Sequence, residues 1–268
     1  MLTFISKLPS LAISPPPDKA TVSHKADLHL HTTYSDGLMT SEETVDIIAQ
    51  HTSLRVIAIT DHDTTEGAFV AREYAQQRRP GIEVVIGQEV TTGDGDVIGL
   101  YLQSTLPKFA TAAEAIEAIH RQGGLAVAVH PFTFGWGMES IQLAFLRLPF
   151  DAVEVRHGCP VSLVGNLCTT LLNLFGPQLP GLGGSDSHIP YTAGQAFTWF
   201  PGSSSSDLRR AIETHTVRPG GTTWKLVSML RELPIIVERG WPTYTNSPAL
   251  AHSTETIPLS PHISTQEM

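Results

Sequence analysis

Short apolar runs alternate with amphipathic helical patterns along most of this chain, and one apolar run after another stops at a histidine or an acid. The alternation constrains the fold first, because consecutive strand–helix units pack around a parallel sheet or barrel. Seven runs read as strands: Ala26–Leu30, Val56–Thr60, Val84–Gly87, Leu125–Val129, Ala152–Val155, Gly181–Gly184 and Ala196–Phe200. A hairpin partner is expected near Val97–Leu102, and helices over Ser41–His51, Thr65–Gln77, Thr111–Gln122, Ile141–Arg147, Val161–Phe175 and Ser206–Thr214. Ser41–His51 opens on a capping sequence and gathers Val45, Ile48 and Ala49 on one face; Thr111–Gln122 does the same with Ala112, Ala115, Ile116 and Ile119, and stops at Gly123-Gly124.

The residues at the strand ends are His29, His31, Asp36, His62, Glu89, His130, His157, Asp186 and His188. In a parallel barrel such residues converge at the carboxyl ends of the strands, however far apart they stand in sequence. A divalent ion wants several nitrogen or oxygen ligands, so this set points to a multinuclear metal site. His29 and His31 alternate on one strand and therefore share a face. Asp36 lies in the turn sequence Tyr34-Ser35-Asp36-Gly37, which folds a carboxylate back over the strand mouth. His62 and Glu89 follow the second and third strands, His130-Pro131 ends the fourth, and His157 ends the fifth.

Each residue also has a plainer reading. A lone strand-end histidine is most often a hydrogen-bonded structural residue; the grouping is what favours ligands. His157, beside Arg156 and close to Cys159, is either a ligand or part of a substrate-facing wall. His24, His51, His120, His215, His252 and His262 have no matching partners and read as ordinary surface histidines. Cys159 and Cys168 are too widely spaced for a zinc knuckle and read as buried thiols. Asp27, Asp61 and Asp63 flank ligands, where a carboxylate can fix an imidazole tautomer, although Asp27 reads equally well as a structural acid. Gly183-Gly184 and Gly93-Asp94-Gly95 lack the spacing of a phosphate loop and are turns.

At 268 residues with 41% hydrophobic content the chain is long and apolar enough for a full core. Its formal net charge of −9 argues against stable binding to duplex nucleic acid, while a nucleotide or short single strand stays compatible. No run reaches the length of a membrane span, and the thiol-poor composition fits a cytoplasmic protein. The expected organisation is a flexible segment over 1–25, one catalytic domain over 26–240, and a disordered tail rich in proline, serine and threonine over 241–268.

The motifs Asp27-Leu28-His29-Leu30-His31 with Ser35-Asp36-Gly37, Ile59-Thr60-Asp61-His62-Asp63-Thr64, Gly87-Gln88-Glu89, Val129-His130-Pro131, Glu154-Val155-Arg156-His157 and Gly184-Ser185-Asp186-Ser187-His188 resemble those of the polymerase and histidinol phosphatase superfamily, the PHP domains. The resemblance covers about Ala26 to Thr223 and is closest to small stand-alone phosphoesterases. It implies a distorted (β/α)7 barrel with two or three divalent ions, zinc, manganese or iron, at the strand mouths. By that pattern His29, His31, Glu89 and Asp186 hold one ion, and Glu89 bridges to a second held by His62 and His130. Asp36 and His62 lie near a third, and His157 and His188 complete the shells. Many relatives carry asparagine where His157 stands, which leaves the third site open.

The activity implied is hydrolysis of a small phosphomonoester or nucleotide phosphate. Three divalent ions against Asp36, Glu89 and Asp186 leave a cationic pocket that draws in phosphate. The expected chemistry is attack on phosphorus by water that two such ions would activate, with His62 and His188 assisting proton transfer. Arg156 and Arg218 are the candidate phosphate clamps; each has an ordinary surface arginine as its alternative. Competing readings are a phosphodiesterase or exonuclease on short nucleic acid, an amidohydrolase-type enzyme, and a non-catalytic interaction module.

Overall fold

Val56 and Ala58 pack into one apolar cluster while Ile57 and Ile59, between and beyond them, pack into another. A strand that buries both faces must be apolar throughout, and this is why the runs show little alternation in sequence. The computed structural model describes residues 23–133 and 140–240. Its first half contains β1 (Ser23–Asp27), α1 (Ser41–His51), β2 (Leu54–Ile59), α2 (Glu66–Arg78), β3 (Glu83–Val90), β4 (Val97–Leu100), α3 (Ala112–Arg121) and β5 (Leu125–Ala128). There follow β6 (Ala152–His157), α4 (Leu163–Phe175), β7 (Gly181–Gly184), β8 (Ala196–Pro201), α5 (Ser205–Glu213), β9 (Arg218–Gly221) and α6 (Leu226–Arg239).

The strands form one sheet in the order β7-β6-β5-β4-β3-β2-β1-β8-β9. Pairing is parallel from β1 to β3 and from β5 to β7; β4 runs antiparallel between β3 and β5, and β8 antiparallel between β1 and β9. The sheet curls into a nearly closed barrel. At the seam between β7 and β8, Thr198 Oγ1 accepts from Gly183 N (2.9 Å) and donates to Gly183 O (3.0 Å). Inside lie Leu28, Val56, Val85, Ile98, Leu100, Val127 and Leu182; outside, Ile57, Ile86 and Val153 meet helix residues such as Val45, Ile48, Ala71 and Ile116. Leu208 and Ile212 of α5 join the interior cluster, and Ser205 N binds Glu83 Oε2 (2.8 Å) at the start of β3, so α5 plugs the end where the strands begin. The opposite end is left for the strand-end residues.

Helix starts follow local chemistry. Thr40, Thr111 and Ser204 each close a capping box with the acid three residues on, Glu43, Glu114 and Asp207. Gly123 takes φ +73° just past α3, as the Gly-Gly sequence implies. Several expectations are corrected. β1 begins at Ser23, inside the segment read as flexible, and ends at Asp27, so His29 and His31 lie on its extended continuation. Gln142–Leu146 is a 3₁₀ turn where a helix was expected, and β9 and α6 were not anticipated. The readings of 1–22 and 241–268 fall outside the described residues. No helix among the described residues is long and apolar enough to cross a membrane.

Candidate metal centre

Past Asp27 the chain stays extended, with Leu30 bridged to Ser187, so His29 and His31 project to the same side. His29 Nε2 and His31 Nε2 are 3.1 Å apart; each lies 3.1 Å from Glu89 Oε2 and 3.2 Å from Asp186 Oδ1. Donors held roughly 2.0–2.1 Å from one tetrahedral ion stand about 3.3 Å from one another, so this quartet has the spacing of a single coordination shell. All four residues are buried.

Three further groups adjoin it: His31, Asp36, His62 and His188; His29, Glu154 and His157; and Glu89, Asp96 and His130. Asp36 Oδ2 lies 3.0 Å from His188 Nε2 and 3.8 Å from His62 Nε2, and the His31 and His188 rings stack with centroids 4.2 Å apart. Glu89 reaches two ways, Oε1 to His130 Nε2 at 2.9 Å and Oε2 to the quartet. His157 Nε2 stands 3.1 Å from Asp186 Oδ2 yet has no hydrogen-bond partner, while its Nδ1 lies 2.6 Å from Ser162 Oγ. A buried ring nitrogen with no partner, aimed among carboxylates, suits a ligand better than a structural histidine. Thus all nine residues singled out in the sequence come together, and His157 lies inside the cluster rather than on a surface a substrate reaches.

The electrostatics fit the same reading. Burial disfavours charge on His29 and on His31, but Asp186, Glu89 and their other acidic neighbours outweigh it and hold both well above the ordinary histidine range. Burial likewise opposes ionisation of Glu89 and Asp186, yet the surrounding imidazoles keep both far below the usual carboxylate range. His62 is the exception, lowered chiefly by its own burial. A site that fills with imidazolium when metal-free is one whose protons divalent ions replace.

Supporting contacts differ from those expected of the flanking acids. Asp61 accepts from Thr32 N (2.6 Å), Thr32 Oγ1 (2.7 Å) and Ser35 Oγ (2.7 Å), clamping the turn that carries Asp36. Asp27 accepts from Ser185 N (2.9 Å) and Gly194 N (2.7 Å), and Asp63 from Thr91 N and Oγ1 (both 2.9 Å). Asp27 and Asp61 thus hold backbone and hydroxyl groups, and Asp63 also meets Lys108 Nζ at 3.2 Å. The tautomer-fixing acid is Glu154, overlooked in the sequence, whose Oε1 lies 3.3 Å from His29 Nδ1 and whose Oε2 accepts from His130 N (3.1 Å). Asp96 was overlooked as well. Backbone strain gathers here too: Asp63, His130 and Asp186 all have φ between 26° and 55°.

Neither arginine reaches the centre. On β6, Glu154 pairs with Leu182 and His157 with Gly184, both facing inward, whereas Arg156 pairs with Gly183 on the outer face, past a bulge. Arg218 is exposed at the start of β9, level with Trp199 and Lys25 at the end of the barrel opposite the cluster.

Comparisons with known proteins agree with this architecture. Residues 27–146 match the PHP domain and residues 178–217 the PHP-associated family. An uncharacterized protein of Methanocaldococcus jannaschii, MJ1587, is 41% identical over 122 residues, covering 41% of this chain and 68% of that protein. A phosphoribosyl 1,2-cyclic phosphate 1,2-diphosphodiesterase of Eggerthella lenta is 39% identical over 90 residues, 31% of this chain and only 33% of its own length. In fold, a Bacteroides vulgatus two-domain protein containing a predicted PHP-like metal-dependent phosphoesterase superposes with a TM-score of 0.63 at 20% identity, over 78% of this chain and 68% of that one. The matched segments bring in every residue of the quartet, and the barrel that presents them is shared; the chain belongs to the PHP domain family.

Proposed function

We propose that the protein is a metal-dependent phosphoric ester hydrolase acting on a small phosphomonoester or nucleotide phosphate. The observation that carries this reading is the quartet His29, His31, Glu89 and Asp186, whose donor atoms share one coordination-sized space. These residues would hold one ion. Glu89 with His130 would hold a second, and Asp36, His62 and His188 form a further donor group beside His31, a set that would suit two or three ions of zinc, manganese or iron. Bound divalent ions supply Lewis acidity toward a phosphoryl oxygen and activate water.

The chain's own residues then decide what enters. His29, His31, Glu89, His130 and His157 are sealed in, while the His62, His188 and Asp36 side chains keep 21%, 18% and 14% of their surface. A substrate therefore meets the centre through this narrow rim, which suits a terminal phosphoryl group. His62 and His188 face it, and a ring left free of an ion would pass a proton to the leaving oxygen. The diphosphodiesterase relative makes a phosphodiester the substrate to test beside the monoester.

Protein loaded with manganese or zinc is expected to release phosphate from p-nitrophenyl phosphate faster than it cleaves bis-p-nitrophenyl phosphate. The His29→Ala/His31→Ala double variant should lose both metal and activity. Full activity in that metal-free variant would overturn the assignment.

A further inference from the structure

Helix α6 is held in place differently from the other helices. None of its described side chains is fully buried: Met229 and Ile236 are half-buried, while Leu226, Val227, Leu230, Leu233 and Val237 are exposed, Leu226 to 70% and Val237 to 85%. Packing of a fully buried apolar face, the usual anchor of a surface helix, does not hold it. Its two ends do. Just before the helix, Trp224 N donates to Gly158 O and Trp224 Nε1 to Ser185 O, each at 2.7 Å. In its last turn Arg239 Nη1 donates to Leu38 O (2.8 Å), and the guanidinium forks onto Glu43 at 2.9 and 3.0 Å. Between these anchors it passes over the short turn Pro190–Thr192.

Every carbonyl gripped in this way adjoins the metal centre. Gly158 follows His157, and Ser185 precedes Asp186. Leu38 stands two residues after Asp36, and its own N donates to His188 O at 2.8 Å. The helix, about 21 Å long at ~1.5 Å per residue, thus runs along the rim from the ends of β6 and β7 to the turn after β1. Trp224 and Arg239 also lie outside the two matched segments, 27–146 and 178–217.

We propose that α6 is a strap that positions the ligands of the metal centre, Trp224 setting the His157–Asp186 side and Arg239 the Asp36–His188 side. Both act through the backbone of neighbouring ligands and are positioning residues. The assignment rests on the metal-centre reading above. Because the anchors serve different donor groups, each end governs a different ion, and loss of such support typically weakens binding by roughly 10–100-fold.

The test is manganese or zinc titration of the full chain by calorimetry, with thermal melts of the metal-free forms. Trp224→Phe keeps the ring and loses the Nε1 bond; Arg239→Met keeps the stem and loses the fork. Each is expected to weaken one equivalent of metal about tenfold and leave the others alone, with metal-free melting temperatures near wild type. In a Trp224→Phe background Arg239→Met should weaken its equivalent by the same factor as in the wild type, as expected of independent sites. Unchanged affinities in both variants, or a uniform weakening of every equivalent with a lowered metal-free melting temperature, would overturn the strap. Wild-type protein that binds no metal would instead overturn the reading on which it rests.

Discussion

A buried carboxylate beside a buried imidazole decides which ring nitrogen stays available to another partner. With Glu154 Oε1 3.3 Å from His29 Nδ1, the ring proton belongs on Nδ1 and the Nε2 lone pair is left pointing into the quartet. Glu154→Gln keeps the shape and removes the charge; metal affinity measured in metal-buffered titrations is expected to fall roughly tenfold. Unaltered affinity would mean that His29 is oriented by its packing alone. The same charges dictate a pH dependence. His29, His31, His130 and His188 are raised in the metal-free protein, so the stability they contribute is complete below the ordinary histidine value of 6.5 and is lost as pH rises through their folded values. Glu89, Asp186 and Asp36 are depressed, and their contribution is present above the ordinary values of 4.5 and 3.8 and is lost as pH falls toward their folded values. The metal-free protein is thus best stabilised by these groups between about pH 4.5 and 6.5. Metal binding needs the imidazoles neutral and strengthens as pH rises. The gain in melting temperature on adding metal should therefore be larger at pH 8 than at pH 6; a gain that shrinks across that interval would contradict the charge assignment.

At the scale of elements, β7 shows how closely the barrel wall approaches the site. A Cβ on Gly184 would lie 2.5 Å from Glu154 Oε1 and 2.6 Å from His29 Cβ, contacts that side chains do not tolerate. Gly184→Ala should therefore displace His29 or Glu154 and cut metal binding while the far-UV circular dichroism stays native; intact metal stoichiometry would show that the wall yields. Sequence periodicity found β2, β3 and β5 because strands buried on both faces leave continuous Val, Ile and Ala runs. It missed β9 because Arg218-Pro219-Gly220-Gly221 reads as a turn, and only pairing with β8 makes it a strand. It missed α6 because Pro234 interrupts the helical pattern and the anchors, Trp224 and Arg239, grip distant carbonyls. The candidate ligands were legible because all but Asp36, which a turn sequence marks, stand at or shortly past the end of a recognisable strand. Glu154 was not, since it lies inside β6 and not past its end, and the bulge between Glu154 and Arg156 is what turns Glu154 and His157 to the same inner side.

Over the whole molecule an occupied metal centre would act as a clasp. Its donors come from the ends of β1, β2, β3, β5, β6 and β7, while β7 meets β8 through the Thr198 hydrogen bonds and its continuation meets that of β1 through the Leu30–Ser187 bridge. Two apolar clusters, one inside the sheet and one between sheet and helices, hold the barrel independently of that clasp. Removing metal should therefore leave the fold standing but less stable, not unfold it as in domains too small to have a core. An ion present at a hundred times its dissociation constant adds about 2.7 kcal/mol. In a domain of this size one kcal/mol moves the melting temperature by roughly 2–4 °C. Chelation of a single ion is then expected to lower the transition by about 5–11 °C, and of two ions by about twice that. Differential scanning calorimetry before and after dialysis against a chelator measures the shift. Loss of any cooperative transition would show that the ions, and not the paired apolar clusters, hold the barrel closed. An unchanged transition would show that the strand ends are already fixed without them.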